Sequence, residues 1–308
     1  LVDPELHLAE RNPDFRVERD ERERAAGIAH HQRGGGLRGL GEPLGVGAKR
    51  LEVSGGVERV AAAARGERAH RERHARGLTV LEGPHLVAEG LRVGRVTELW
   101  ATPEALQSRE APALLTQAGR SGIKARQLSA SLLKRLNQLP APQGWLAVAK
   151  TEQTPVPSAP SLSLALDGVQ DPGNMGTLLR AAWAAQAAVI LGPGCADPWS
   201  PKVLRSGSGA QFGVLFESVE NLALRLQTMK RDGVQVLAAA PRAETTHWDS
   251  DLKGPSCLVL GAEGPGLSET VSQVCDQTIR IPYPGGAESL NVAMAGGLLL
   301  FEALRQRR

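Results

Sequence analysis

Aromatic residues are scarce: four Phe, five Trp and one Tyr make up 3% of the 308 residues. Any nucleic-acid contact is therefore expected to rest on Arg, Lys and backbone groups rather than on a ladder of stacking rings. Cysteine is nearly as rare. Cys195, Cys257 and Cys275 lie far apart with no CxxC spacing, which argues against a disulfide framework or a structural zinc site and for reduced, buried thiols. No apolar run reaches the roughly 20 residues that cross a bilayer. The opening Leu1-Val2-Asp3-Pro4-Glu5 has no signal-peptide core, so a cytoplasmic protein without a membrane partner is expected. The first residue is Leu rather than Met, which points to a fragment or to a non-standard start codon translated literally. An excess of either charge is missing too. The formal net charge is only +3 and the pI about 8.9, which permits a polyanionic partner without demanding one.

What remains is ordinary for a globular chain, with 42% hydrophobic and 22% charged residues and length enough for two domains. Residues 1–50 are mostly Arg, Glu, Gly and His, with Gly34-Gly35-Gly36 among them, and read as a poorly ordered tail. Residues 57–76 are rich in helix formers, and Arg65, Arg68, Arg71, Arg73 and Arg76 fall near one helical face. Taken alone, that run reads as a solvated, salt-bridged surface helix; a phosphate-contacting face is the alternative. From residue 78 the pattern is that of a small α/β domain. Strands are expected at 78–81, 96–100 and 144–149, with helices at 85–91, 104–118 and 129–136. Pro155, Pro157 and Pro160 mark a semi-extended linker over 151–160.

Beyond the linker, short strands that are apolar throughout alternate with helices. Strands are expected at 162–166, 188–191, 214–216, 234–240, 258–260 and 279–281. Helices are expected at 176–187, 202–206, 222–231 and 289–305. This is the pattern of a parallel sheet covered on both faces, whose ligands bind in loops beyond the carboxyl ends of the strands.

Three such loops stand out. The first is Asp167-Gly-Val-Gln-Asp171-Pro172-Gly-Asn174-Met-Gly176-Thr-Leu-Leu-Arg180. It places Asn174 and the Gly176 amide at an expected helix N-terminus suited to an anion, with Arg180 about one turn on. A bare turn with an N-cap is the alternative. The second runs Gly261-Ala262-Glu263-Gly264-Pro265-Gly266, whose glycines let backbone approach a ligand closely, with Glu263 in their midst. Its spacing is neither the dinucleotide fingerprint nor a phosphate-binding P-loop, which tells against a nucleotide-dependent oxidoreductase. The third is Ile281-Pro282-Tyr283-Pro284-Gly285-Gly286-Ala287-Glu288-Ser289-Leu290-Asn291, where Ser289 and Asn291 either cap the last helix or serve a site. Gly296 and Gly297 inside that helix each cost about 1 kcal/mol relative to Ala, tolerable where something packs very close.

In order and spacing, residues 167–181, 260–268 and 281–294 resemble the three signature motifs of the SpoU family of RNA 2′-O-methyltransferases. The run Leu290-Asn291-Val292-Ala293 after Glu288-Ser289 is the most specific part. Glu82-Gly83 and the helix after it resemble the family's smaller N-terminal substrate-binding domain, a ribosomal-protein-like α/β fold spanning 57–150. The resemblance implies a trefoil-knotted, parallel-sheet methyltransferase domain over 161–308. It also implies S-adenosylmethionine as cofactor, no metal, and a homodimer. Asn174, Arg180, Glu263, Ser289 and Asn291 resemble the polar catalytic set. The cofactor is expected against Ala240, Gly261, Gly264, Gly266, Ile281, Pro282, Leu290 and Asn291. With the resemblance, Arg65, Arg68, Arg71 and Arg73, together with Glu82, become candidate RNA contacts. The separate N-terminal domain favours ribosomal over transfer RNA as partner. A tRNA 2′-O-methyltransferase and a non-catalytic RNA-binding protein on the same fold are the alternatives.

Overall fold

The computed structural model describes residues 67–308 apart from 137–141, 153 and 286–287. The tail expected over 1–50, and Arg65, lie outside the described residues.

The first described element is helix α1 (Glu67–Arg76), followed by a four-stranded sheet. Strand β1 (Leu78–Glu82) leads through Gly83 into α2 (Pro84–Arg92), and β2 (Val96–Ala101) follows. The single helix expected over 104–118 is two, α3 (Pro103–Leu106) and α4 (Ala111–Arg120). Thr102 caps the first through its hydroxyl, and Pro112 near the start of the second opens a fresh turn. Strand β3 (Ala125–Gln127) was not legible in the sequence, because it is short, charged and largely exposed. After α5 (Ala130–Leu136), β4 (Trp145–Lys150) enters between β1 and β2, giving the order β1-β4-β2-β3.

The segment between the sheets is held in place rather than hanging free. The Arg225 guanidinium donates to the Pro157 and Ser158 carbonyls at 2.8 and 3.1 Å while also pairing with Glu217.

The second sheet has six parallel strands in the order β10-β8-β9-β5-β6-β7. They are β5 (Leu162–Asp167), β6 (Ala188–Leu191), β7 (Phe216–Ser218), β8 (Gln235–Ala239), β9 (Ser256–Gly261) and β10 (Gln277–Ile279). Helices α6 (Pro172–Ala184), α7 (Pro201–Ser206), α8 (Leu222–Arg231), α9 (Glu269–Ser272) and α10 (Val292–Gln306) complete it, with a 3-10 turn over Ala210–Phe212. Alternate residues of the central strands feed two cores. Leu164, Leu166, Leu258 and Leu260 join Leu178, Leu179, Leu299 and Leu300 on one side. Ala165, Ile190, Val236 and Val259 join Leu226 and Met229 on the other. This double burial is why the strands read as unbroken apolar runs.

Trp199 seals the junction between the sheets. Its ring lies 5.6 Å from Phe212 and 5.7 Å from Phe216, and its carbonyl accepts from the buried Thr79 hydroxyl at 2.8 Å. The three cysteines are unpaired; Cys257 is fully buried, which pushes its thiol up to about 12. Of the paired helical glycines only Gly296 is tight, since a Cβ there would overlap Leu178 and approach Leu260 at 2.9 Å. Gly297 has open space beside it. Among the described residues no helix is long and apolar enough to cross a membrane.

Candidate active site

Helix α6 starts at Pro172, four residues earlier than expected, because Asp171 caps it and proline suits its first position. The Asp171 carboxylate accepts from the Asn174 amide at 2.8 Å. The Asn174 amide is therefore already taken by a side chain, and with the helix opening at Pro172 the Gly176 amide lies inside it, so the anion site expected at these two positions is corrected. Gly176 is there for packing instead: a Cβ would collide with Ser206 and the Gly207 amide. The first turn does aim the Asn174 side chain toward the ends of the neighbouring strands.

What it meets there is a chain of amides and one carboxylate. The Asn174 Nδ2 donates to Glu263 Oε1 in a short contact, and its Oδ1 accepts from Asn291 Nδ2 at 2.9 Å. Asn291 Oδ1 in turn accepts from the Ala293 and Met294 amides at 3.0 and 3.2 Å. Helix α10 opens at Val292 rather than Ser289, so Asn291 is its N-cap and Ser289 lies outside it. The capping and functional readings of Asn291 are therefore both right, one for each end of the amide. The helix fixes the acceptor end, which leaves the donor end aimed at Asn174.

Glu263 sits in a tight hairpin closed by paired bonds of 3.0 Å between Ala262 and Gly266. Gly264 and Gly266 have φ of +89° and +75°, a region that favours glycine. A Cβ on Gly261 would collide with the returning backbone at Gly266 and Leu267.

A cleft of about 690 Å³ opens at the carboxyl ends of β8, β9 and β10, where an open parallel sheet binds its ligands. Of the residues expected around a cofactor, Ala240, Gly261, Gly264, Gly266, Ile281, Leu290 and Asn291 line it, as do Glu263 and Ser289. Pro282 does not. Ala239, Pro241, Ile279, Arg280, Tyr283 and Val292 also line it and were missed. Ala239 and Ile279 end strands, and that position was the signal that could have found them. Tyr283, the only tyrosine of the chain, braces the loop by donating from its hydroxyl to the Glu288 carbonyl at 3.2 Å.

Arg180 stands apart from the amide chain. It is exposed on α6, and its Nη1 donates to the Ser208 hydroxyl at 3.3 Å. The candidate RNA contacts also separate. Arg71 is exposed, whereas Arg73 turns inward, Nε to Asp197 at 2.9 Å, with both side chains about one-tenth exposed. Glu82 is buried at the end of β1. Arg68 lies on α1.

A parallel α/β sheet with a glycine-bordered cleft at its strand ends, joined to a smaller α/β domain, places a ligand-binding cleft where open parallel sheets carry one. The comparisons with known proteins specify the class. Residues 161–301 match the SpoU rRNA Methylase family, and residues 80–155 match the RNA 2′-O ribose methyltransferase substrate binding family. The 23S rRNA (guanosine-2′-O-)-methyltransferase RlmB of a Burkholderia species is 36% identical over 242 residues, 75% of this chain and 97% of that protein. Among solved structures, an RNA methyltransferase of the TrmH family from Porphyromonas gingivalis superposes with a TM-score of 0.68 at 31% identity, covering 82% of this chain and 98% of that one. The AdoMet-bound rRNA methyltransferase from Sinorhizobium meliloti gives 0.69 at 27%, covering 81% and 94%. The chain belongs to the SpoU rRNA methylase family.

Proposed function

We propose that this protein transfers a methyl group from S-adenosylmethionine to a ribose 2′-hydroxyl of ribosomal RNA. The observation that carries this reading is the bonded chain Asn291–Asn174–Glu263 at the edge of a cleft of cofactor size. The cleft fits the cofactor. Ile279, Ile281, Leu290 and Val292 offer apolar walls, and Gly264 and Gly266 present bare backbone with open space where a side chain would stand. Backbone groups of Gly261, Ile281 and Leu290, which line the cleft, would hold the adenosine part. When bound, the cofactor supplies an electrophilic methyl group on a sulfonium.

The chain's own residues then have to align the acceptor oxygen and ease loss of its proton. Asn174 is pinned at both ends of its amide, so it holds the Glu263 carboxylate in one orientation at the cleft. Ser289, exposed beside them, orients the ribose. Arg180 acts by charge: a guanidinium is a permanent cation and a poor proton acceptor, but a strong stabiliser of phosphate and of developing alkoxide. Arg71 supplies part of the RNA-contacting face. Residues 57–150 form the substrate-binding domain, 151–160 the linker and 161–308 the methyltransferase domain, working in the cytoplasm. The C-terminal segment is knotted; in support, the chain leaves β10 at the sheet edge and returns to pack α10 against β9, β5 and α6.

The active form is a homodimer. Met294, Leu298 and Phe301 lie at i, i+4 and i+7 along α10 and are 58%, 45% and 54% exposed, an apolar stripe that a second copy would cover. Phe301→Glu is expected to convert the dimer to a monomer in sedimentation velocity; an unchanged sedimentation coefficient counts against this face.

Incubation with methyl-labelled S-adenosylmethionine and separated ribosomal and transfer RNA tests the substrate. Label is expected in ribosomal RNA. Label confined to transfer RNA, or to neither from a chain that binds the cofactor, overturns the assignment.

A further inference from the structure

We infer that Ser208 is a positioning residue for Arg180, and that it ties the catalytic arginine to the substrate-binding domain. The inference rests on the reading of Arg180 as the group that stabilises charge at the ribose. Ser208 has φ of +49°, in the left-handed region where a side chain costs about 1 kcal/mol or more. It directly follows Gly207 at the end of α7, at a site that glycine ordinarily takes. Strain alone does not single it out, because Gln186 has φ of +53° just past the end of α6. Two further features do.

The first is the hydrogen bond. Of the side-chain hydroxyls in the loop 206–209, Ser206 is spent on the Pro172 carbonyl at 2.7 Å, whereas Ser208 receives Arg180 Nη1 at 3.3 Å. Both bonds run to α6, the helix that also carries Asn174. The second is what lies behind the loop. A Cβ built on Gly209 would stand 3.3 Å from Glu89 Cβ and 3.4 Å from Leu86 Cδ2, so α2 of the N-terminal domain rests directly on the residue after Ser208. Ser208 and Gly209 both have positive φ, and both backbone amides bond back into α7, to Arg205 and Leu204 at 3.0 Å. The loop is therefore a rigid bracket with α2 on one side and the Arg180 guanidinium on the other. The serine at this glycine-favouring position supplies the hydroxyl that holds the arginine.

Glycine at this position separates the two explanations, since it relieves the backbone while deleting the hydroxyl. With 23S ribosomal RNA as acceptor, Ser208→Gly is expected to melt no lower than the wild type and to keep its KM for S-adenosylmethionine. Its kcat should fall about tenfold, as for one lost hydrogen bond to a charged group. Ser208→Asn tolerates the same backbone and restores an acceptor, and should recover most of the loss. Arg180→Ala is measured alongside and should lose about 100-fold or more. Full kcat in Ser208→Gly beside an inactive Arg180→Ala overturns the role of Ser208 alone. Loss of stability and cofactor affinity together with kcat, or no recovery in Ser208→Asn, overturns it as well. An active Arg180→Ala removes the reading of Arg180 and the bracket with it.

Discussion

The cleft and the helix α1 both carry polar residues picked out along the sequence, yet the structure treats them differently. At the cleft, Asn174, Glu263 and Asn291 come from positions 89 and 117 residues apart and end in one hydrogen-bonded chain. On α1, Arg71 and Arg73 are two residues apart and part company, one facing solvent and the other half-buried against Asp197. The difference is one of scaffolding. Residues just after strands of a parallel sheet are delivered to one edge by the sheet itself. Residues on a charged helix share a face only as far as the helix is free to choose its neighbours, and here the loop at Asp197 chooses for Arg73.

That contrast can be broken experimentally. Arg73→Ala strips the cation from a carboxylate that is itself about 8% exposed and bonded to the Trp199 amide. Chemical denaturation should then show a loss of about 3 kcal/mol. A neutral result would return Arg73 to the surface set. Asn174→Ala leaves Glu263 without its donor and Asn291 without its acceptor; kcat should fall about 100-fold with little change in melting temperature. A matching loss of cofactor affinity and stability would mean the chain holds the fold rather than the reacting groups. Arg71→Glu should weaken RNA binding several-fold and lower the salt slope by about one or two, sparing S-adenosylmethionine affinity in calorimetry. Salt dependence identical to the wild type would leave α1 as a solvated face.

Most of the second sheet was legible because double burial makes its strands apolar throughout, a signal independent of register. The edge strand β3 gave no such signal, since residues 125–127 are mostly exposed and include Arg126 and Gln127. The start of α6 was misplaced for a local reason: Asp171-Pro172 reads equally as a turn or as a cap with proline at the first helical position, and only the bond to the Asn174 amide decides. The polar cleft residues were legible through the family resemblance and their places after strands. Ser208 was not, because its partner Arg180 is 28 residues away across a packed helix pair and a positive φ leaves no mark on a serine. The inward turn of Arg73 was hidden for the same reason, its partner lying 124 residues on.

The most direct test of the account is the atom that is methylated. A ribose 2′-O-methyl group blocks alkaline cleavage of the following phosphodiester, whereas a methylated base does not. Ribosomal RNA labelled by this enzyme should yield its label in alkali-resistant dinucleotides, and the Asn174→Ala variant should yield almost none. Label recovered instead in single nucleotides carrying a methylated base would contradict the chemistry assigned to the cleft.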